Sequence, residues 1–211
     1  MNKYIIGAIV VIVLAAAAYF IWHNASQQAV TPPPPPPPPA VPVTHTYATS
    51  TFSITYPDGY TADDRYAYQG VPNKPIPGVK FTIPGTMATG TNLSADSGVS
   101  VESLPRAKSC TGDIYLYENV KAHDVIVGST VWSMASSSDA GAGNFYEEQV
   151  FALKDSKPCM AVRYYIHSTN IDNYPAGAVV AFDKNALVKS FDSIRDSLQI
   201  GAPSAATTTT P

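Results

Sequence analysis

NFYEEQVFALKDSKPCMAVRYYIH, residues 144–167, is the stretch on which the fold turns. In its second half Met160, Val162, Tyr164 and Ile166 alternate with Ala161, Arg163, Tyr165 and His167. That is the period of two of a strand with one apolar face. The run KDSKP at 154–158 gathers the residue types that break periodic segments, so strands 144–153 and 159–167 should be joined by a turn. A connection that short makes them antiparallel. With Asp155 and Ser156 as a two-residue tip, Phe151 would face Met160, Ala152 would face Cys159 and Glu148 would face Arg163. Arg163 and His167 then share a face with Glu148, opposite the apolar one. An exposed Glu148–Arg163 pair would be worth well under about 1 kcal/mol, and only burial of that face would make it a candidate site.

Working outward, residues 124–135 read as a third long strand, with the Ser-, Asp- and Gly-rich 136–143 as the turn that completes a meander. Upstream, Phe52, Ile54 and Tyr56 alternate with polar residues before the turn Pro57-Asp58-Gly59. Further strands are expected around 60–69, at Val79, Phe81 and Ile83, and at 99–104. Residues 87–98 read as loop, and 110–118 as a short helix or loop. Downstream, Leu187, Val188, Phe191, Ile194 and Leu198 recur at helical spacing behind Asp183, a natural N-cap, and Gly201 lies just past the end. This helix should lie on the apolar face of the sheet. The expected fold is α+β: an antiparallel β-sheet with a C-terminal helix packed on one face, or a sandwich with helices on both faces, preceded by one transmembrane helix.

The transmembrane expectation rests on YIIGAIVVIVLAAAAYFIW, from Tyr4 to Trp22, which carries no charge. At the helical rise it spans about 28 Å, the thickness of a bilayer's hydrocarbon core. Lys3 precedes it, and no Lys, Arg, Asp or Glu follows until Asp58. The positive-inside rule puts the N-terminus in the cytoplasm and the rest outside, as a single-pass cell (inner) membrane protein with a periplasmic or extracellular domain. The rival is a cleaved signal peptide, but a cut at the alanines would leave Tyr19, Phe20, Ile21 and Trp22 as a greasy new N-terminus. The expected layout is an anchor at 1–23, a polyproline linker at 24–49 with eight consecutive prolines at 32–39, a globular domain at 50–200 and a disordered Thr-rich tail at 201–211. Net charge is −3 and no basic cluster occurs, which argues against nucleic acid as a partner. The expected partners are the lipid bilayer, through Tyr4–Trp22, and a protein of the envelope.

FSITYPDGY at 52–60 and FDKNALVKSFDSIRDSLQI at 182–200 resemble the two ends of PsbP-like domains, the extrinsic photosystem subunits and their bacterial relatives. CMAVRYYIHSTNIDNYPAG at 159–177 also resembles uncharacterised bacterial membrane-anchored proteins. The resemblance implies an antiparallel sheet with helices on its faces, and a binding or assembly role in place of catalysis. It maps no metal or catalytic residue onto this chain.

Two cysteines in an extracytoplasmic chain point to one disulfide, Cys110 to Cys159, with two buried free thiols as the alternative. Closing that loop is worth about 4 kcal/mol by the chain-entropy relation. The sequence has no G-x-S-x-G, S-x-x-K, H-E-x-x-H or P-loop pattern, and no cofactor or metal is expected. His123 and Asp124 are adjacent on a strand and so point to opposite faces. His167 opens the oxygen-rich loop STNIDNY at 168–174, so His167, Asn170 and Asp172 could form a cation or ligand site, although Asn and Asp also cap turns. The ligand-binding candidates are thus His167, Asn170, Asp172, Arg163 and Glu148. The functional expectation is a membrane-tethered extracytoplasmic binding or assembly module, and the alternative is a hydrolase with its site near the 167–174 loop.

Overall fold

The computed structural model describes residues 3–25 and 43–201; within the first segment, side chains are described for Gly7 and residues 11–23. The chain divides into two units, Met1–Val41 and Pro42–Pro211. The first contains helix α1 (Lys3–Ala25), whose apolar residues are spread round all sides and not gathered on one face. Among the described residues no helix is long and apolar enough to cross a membrane. The polyproline run and the Thr-rich tail lie outside the described residues.

The second unit is built on antiparallel strands. Its large sheet contains β3 (Thr61–Asp63), β4 (Ala67–Tyr68), β5 (Ile76–Thr82), β6 (Gly98–Leu104), β7 (His123–Val127), β8 (Thr130–Gly141), β9 (Asn144–Leu153) and β10 (Cys159–Thr169). They are ordered β3-β5-β6-β10-β9-β8-β7, with β4 paired to β5. A small sheet joins β1 (Thr44–Ala48), β2 (Phe52–Pro57) and β11 (Gln199–Ile200) in the order β1-β2-β11. A one-turn helix α2 (Gly85–Ala88) and the helix α3 (Lys184–Asp196) complete it.

The alternation in β10 sorts its faces as expected. Val162, Tyr164 and Ile166 are buried in the same core as Leu187, Phe191 and Ile194 of α3 and Phe52 and Ile54 of β2. Asp183 caps α3 by accepting a hydrogen bond from the Ala186 amide at 2.9 Å. Each of these apolar side chains contributes about 1.5–3 kcal/mol on burial, so α3 is held by its stripe more than by helix propensity.

Several expectations need correction. The β9–β10 register is shifted by two: Ala152 faces Ala161, Val150 faces Arg163 and Glu148 faces Tyr165. The loop takes five residues, turning through Asp155 at φ 63°, where a two-residue tip was expected. A shift of two keeps every side chain on its face, because the period is two. The expected 124–135 strand is broken into β7 and β8 by a turn through Gly128 at φ 60°, and 136–141, expected as turn, extends β8 to pair with β9. The turn there is only Ala142-Gly143, both with positive φ, the backbone of a tight hairpin. Thr44–Ala48, expected in the linker, is strand β1 and pairs with β2, so the globular unit begins before residue 50.

The sandwich with helices on both faces is not what covers the second face of the large sheet. Residues 105–122 lie there, with a single 3-10 turn, Gly112–Tyr115, over Ala135, Val150 and Ala161. Cys110 and Cys159 form a disulfide, Cα to Cα 5.2 Å, that pins this segment to the start of β10. Gly112 lies so close to the sheet that a Cβ would stand 2.7 Å from the Ala135 nitrogen and 2.8 Å from the Ser133 and Val150 oxygens. No side chain fits there.

Candidate functional site

Arg163 sits in the middle of β10, between β6 and β9, and points to the face opposite α3. Its side chain is 0 % exposed. Nε and Nη2 donate to the two carboxylate oxygens of Glu102 at 2.8 and 2.9 Å, a fork that only a guanidinium supplies. Nη1 donates to Glu148 at 2.6 Å, and Nη2 also donates to the Tyr115 carbonyl at 2.8 Å. The Tyr68 ring stacks on the guanidinium, 3.5 Å from its carbon to the ring centroid. Ser100 Oγ donates to Glu102 at 2.7 Å, and Tyr68 Oη to Glu148 at 2.7 Å. Strand geometry explains the cluster: Ser100 is directly opposite Arg163, Glu102 is two residues along on the same face, and Glu148 is reached diagonally across β9.

Two carboxylates serve one guanidinium. Burial by itself would lower the Arg163 pKa, but the hydrogen bonds and charge of Glu102, with the charge of Glu148, raise it. Burial pushes the Glu148 carboxyl above its ordinary range, against the pull of Arg163 and Tyr68. The Tyr68 hydroxyl is raised by burial and further by its bond to Glu148. Each of these polar groups is bonded to another, so the network fixes their positions.

Above Glu148 opens a cleft of about 540 Å³. Five tyrosines line it: Tyr66, Tyr68, Tyr117, Tyr146 and Tyr165. Tyr146 and Glu148 come from β9, Ser137 and Asp139 from β8 and Tyr165 from β10, all by the same alternation. The 105–122 segment adds Tyr117 and Glu118. Lys80 Nζ donates to the Asp96 carbonyl at 2.5 Å and stands 5.2 Å from the Tyr165 ring centroid and 5.8 Å from that of Tyr66. Burial lowers the Lys80 pKa, opposed by Asp96 and Asp63, and burial, then Asp96, pushes the Tyr165 hydroxyl up to about 12.

Of the expected site residues, Arg163 and Glu148 do converge, and their face is buried. His167 lies on the same face two pairs along: its Nδ1 is 2.8 Å from Asp96 Oδ1, and Tyr146 stacks on its ring at 4.5 Å. Its Nε2 is buried without a hydrogen-bond partner among the described residues. Asn170 and Asp172 do not join it. The Asn170 side chain accepts from the Asp172 amide at 3.1 Å and caps the 3-10 turn Ile171–Asn173, which is the turn-forming use of these residue types. Among the described residues no group of three or more His, Cys, Asp or Glu side chains is placed to hold a metal ion. Sequence reasoning missed Glu102, Tyr68, Lys80 and Asp96. A signal existed for Glu102: in VSVES it alternates with Val99 and Val101, a carboxylate in mid-strand on the polar face of a predicted strand.

No family model matches the sequence, and no curated protein does. Solved structures similar to the chain include a Bacteroides thetaiotaomicron protein, with TM-score 0.41, 12 % identity and coverage of 72 % of this chain and 46 % of that one. They also include cyanobacterial PsbP from Synechocystis, with TM-score 0.41, 14 % identity and coverage of 80 % of this chain and 99 % of that one. At those scores neither likeness carries weight for function.

Proposed function

We propose that this chain is a membrane-tethered binding module of the extracytoplasmic side, and that its ligand sits in the tyrosine-lined cleft. The observation that carries this reading is the pairing of tyrosine-lined walls with a floor whose charged groups are already committed to one another. Such a surface suits recognition. The tether is supported by α1, where Val11, Leu14, Phe20 and Ile21 are each more than half exposed. A helix apolar on all sides is favourable only where every side meets an apolar medium. The Cys110–Cys159 disulfide suits an oxidising compartment.

Three experiments test the reading on the full chain. Protease added to spheroplasts should remove the domain and leave a short membrane stub; a protected domain overturns the topology. Material purified from detergent-solubilised membranes should retain a ligand or partner in the wild type and lose it in Tyr117→Ala and Tyr146→Ala. Equal retention by all three would move the site elsewhere. Hydrolysis of ester or peptide probes that falls in Glu148→Gln would replace binding by catalysis.

A further inference from the structure

Resting on the reading of the cleft as a binding site, we propose that its ligand is a small organic cation, an alkyl- or quaternary ammonium group carried on apolar substituents. Three observations converge on that chemistry.

The first is the walls. The face of a tyrosine ring attracts cations through its quadrupole, most strongly where water is excluded. This protein already uses its cleft tyrosines in that way. The Arg163 guanidinium lies on Tyr68 at 3.5 Å, and the Lys80 ammonium lies near Tyr165 at 5.2 Å and Tyr66 at 5.8 Å. Tyr117 belongs to the same cleft and carries no cation among the described residues, whereas one face of Tyr146 is covered by the His167 ring at 4.5 Å. Tyr117 is 67 % exposed.

The second is the charge. Asp96, Glu118, Asp139 and Glu148 line the cleft against one basic side chain, Lys80. Glu148 is taken by Arg163, and Asp96 is hydrogen-bonded to His167 Nδ1 at 2.8 Å. Glu118 and Asp139 form no ion pair with any described residue. Their field opposes an anion or the carboxylate of a zwitterion and favours a cation. The third is size: about 540 Å³ lies within the range of small-molecule sites and exceeds what a bare metal ion would need.

The test uses the full-length protein in detergent and reads tyrosine fluorescence and calorimetry with defined probes. Choline is compared with 3,3-dimethylbutanol, its neutral isostere, and with phosphocholine, which stands in for a lipid headgroup. Choline should bind about tenfold more tightly than the neutral isostere. Glu118→Gln with Asp139→Asn should weaken choline about tenfold and leave the isostere unchanged, and both side chains are exposed enough for the fold to tolerate the change. Phosphocholine, whose phosphate the same field opposes, should bind more weakly than choline and so mark a free ammonium as the ligand, whereas phosphocholine binding as tightly as choline would overturn the charge argument. Equal binding of choline and the isostere, both lost in Tyr117→Ala, would overturn the cation while leaving the cleft a binding site. Failure of every ammonium probe to bind overturns the proposal too, and the co-purification above then judges the binding reading separately.

Discussion

Arg163→Met is the most demanding test of the buried network. It replaces the guanidinium by an apolar side chain of comparable length and leaves Glu102, at 0 % side-chain exposure, with only the Ser100 hydroxyl as a side-chain donor. Four hydrogen bonds of 2.6–2.9 Å and the stack on Tyr68 vanish together. Removing one partner of a buried ion pair costs about 3–5 kcal/mol, chiefly because the other charge stays buried. For a domain of this size that corresponds to a Tm fall of about 10 °C. Glu102→Gln should cost less, since Glu148 still neutralises Arg163. The double variant Arg163→Met/Glu102→Gln should recover about 2–3 kcal/mol relative to the sum of the singles. Urea denaturation followed by near-ultraviolet circular dichroism, which reports the tyrosine packing, measures all three. A loss below about 1 kcal/mol for Arg163→Met, or additivity within about 0.5 kcal/mol, would refute the reasoning.

Other perturbations have equally definite signs. Because burial raises the Glu148 pKa, the native state holds that proton more tightly than the unfolded chain. The contribution is therefore complete below the ordinary carboxylate range and is lost as pH rises through the raised value. The Tm of Glu148→Gln relative to wild type should climb across that interval; a constant or falling difference contradicts it. Cys110→Ser should cost about 4 kcal/mol and abolish the mobility difference between reducing and non-reducing gels, whereas free thiols at both positions in quenched wild-type protein would exclude the bond. Gly112→Ala should destabilise by about 1–3 kcal/mol, since its methyl group would meet backbone atoms of two strands; unchanged denaturation would show that the 105–122 segment can lift off.

How much of this was legible in the sequence depended on whether one residue's neighbours could reveal its place. Alternation in β10 put Val162 and Tyr164 under the helix and Arg163 with Glu148 on the other face, and that held although the register moved, since an even shift preserves faces. The stripe from Leu187 to Ile194, with Asp183 as cap, located α3 closely. The serines of 136–138 read as a turn because they are polar on both faces, but from Ser136 on β8 is exposed on both faces apart from the half-buried Ser137 and needs no apolar residue on either. β1 was hidden because THTYA has no apolar periodicity of its own and becomes a strand only through β2. The cleft was out of reach for a similar reason: Tyr68, Lys80, Asp96 and Tyr117 lie on separate segments, and only the folded chain sets them round one opening.

The small sheet decides how this domain would respond to force. β1 is an edge strand, and its first residue, Thr44, is paired with Pro57, at the far end of β2. A pull on the chain ahead of Thr44 is borne first at that end, by the Asp58 amide on the Val43 carbonyl at 3.0 Å and by His45 on Asp58 at 2.8 Å, so the strand peels from one end and its hydrogen bonds are not sheared together. The last residues leave from the other end of β2, where Ile200 meets Phe52. Tension from the N-terminal side would thus spend itself on five exposed or half-exposed residues, while Phe52 and Ile54, which belong to β2 and the core, stay seated. Opening β1 would first cost the contacts of its one half-buried residue, Tyr47, whose ring lies 6.0 Å from that of Phe52 and 5.9 Å from that of Phe81.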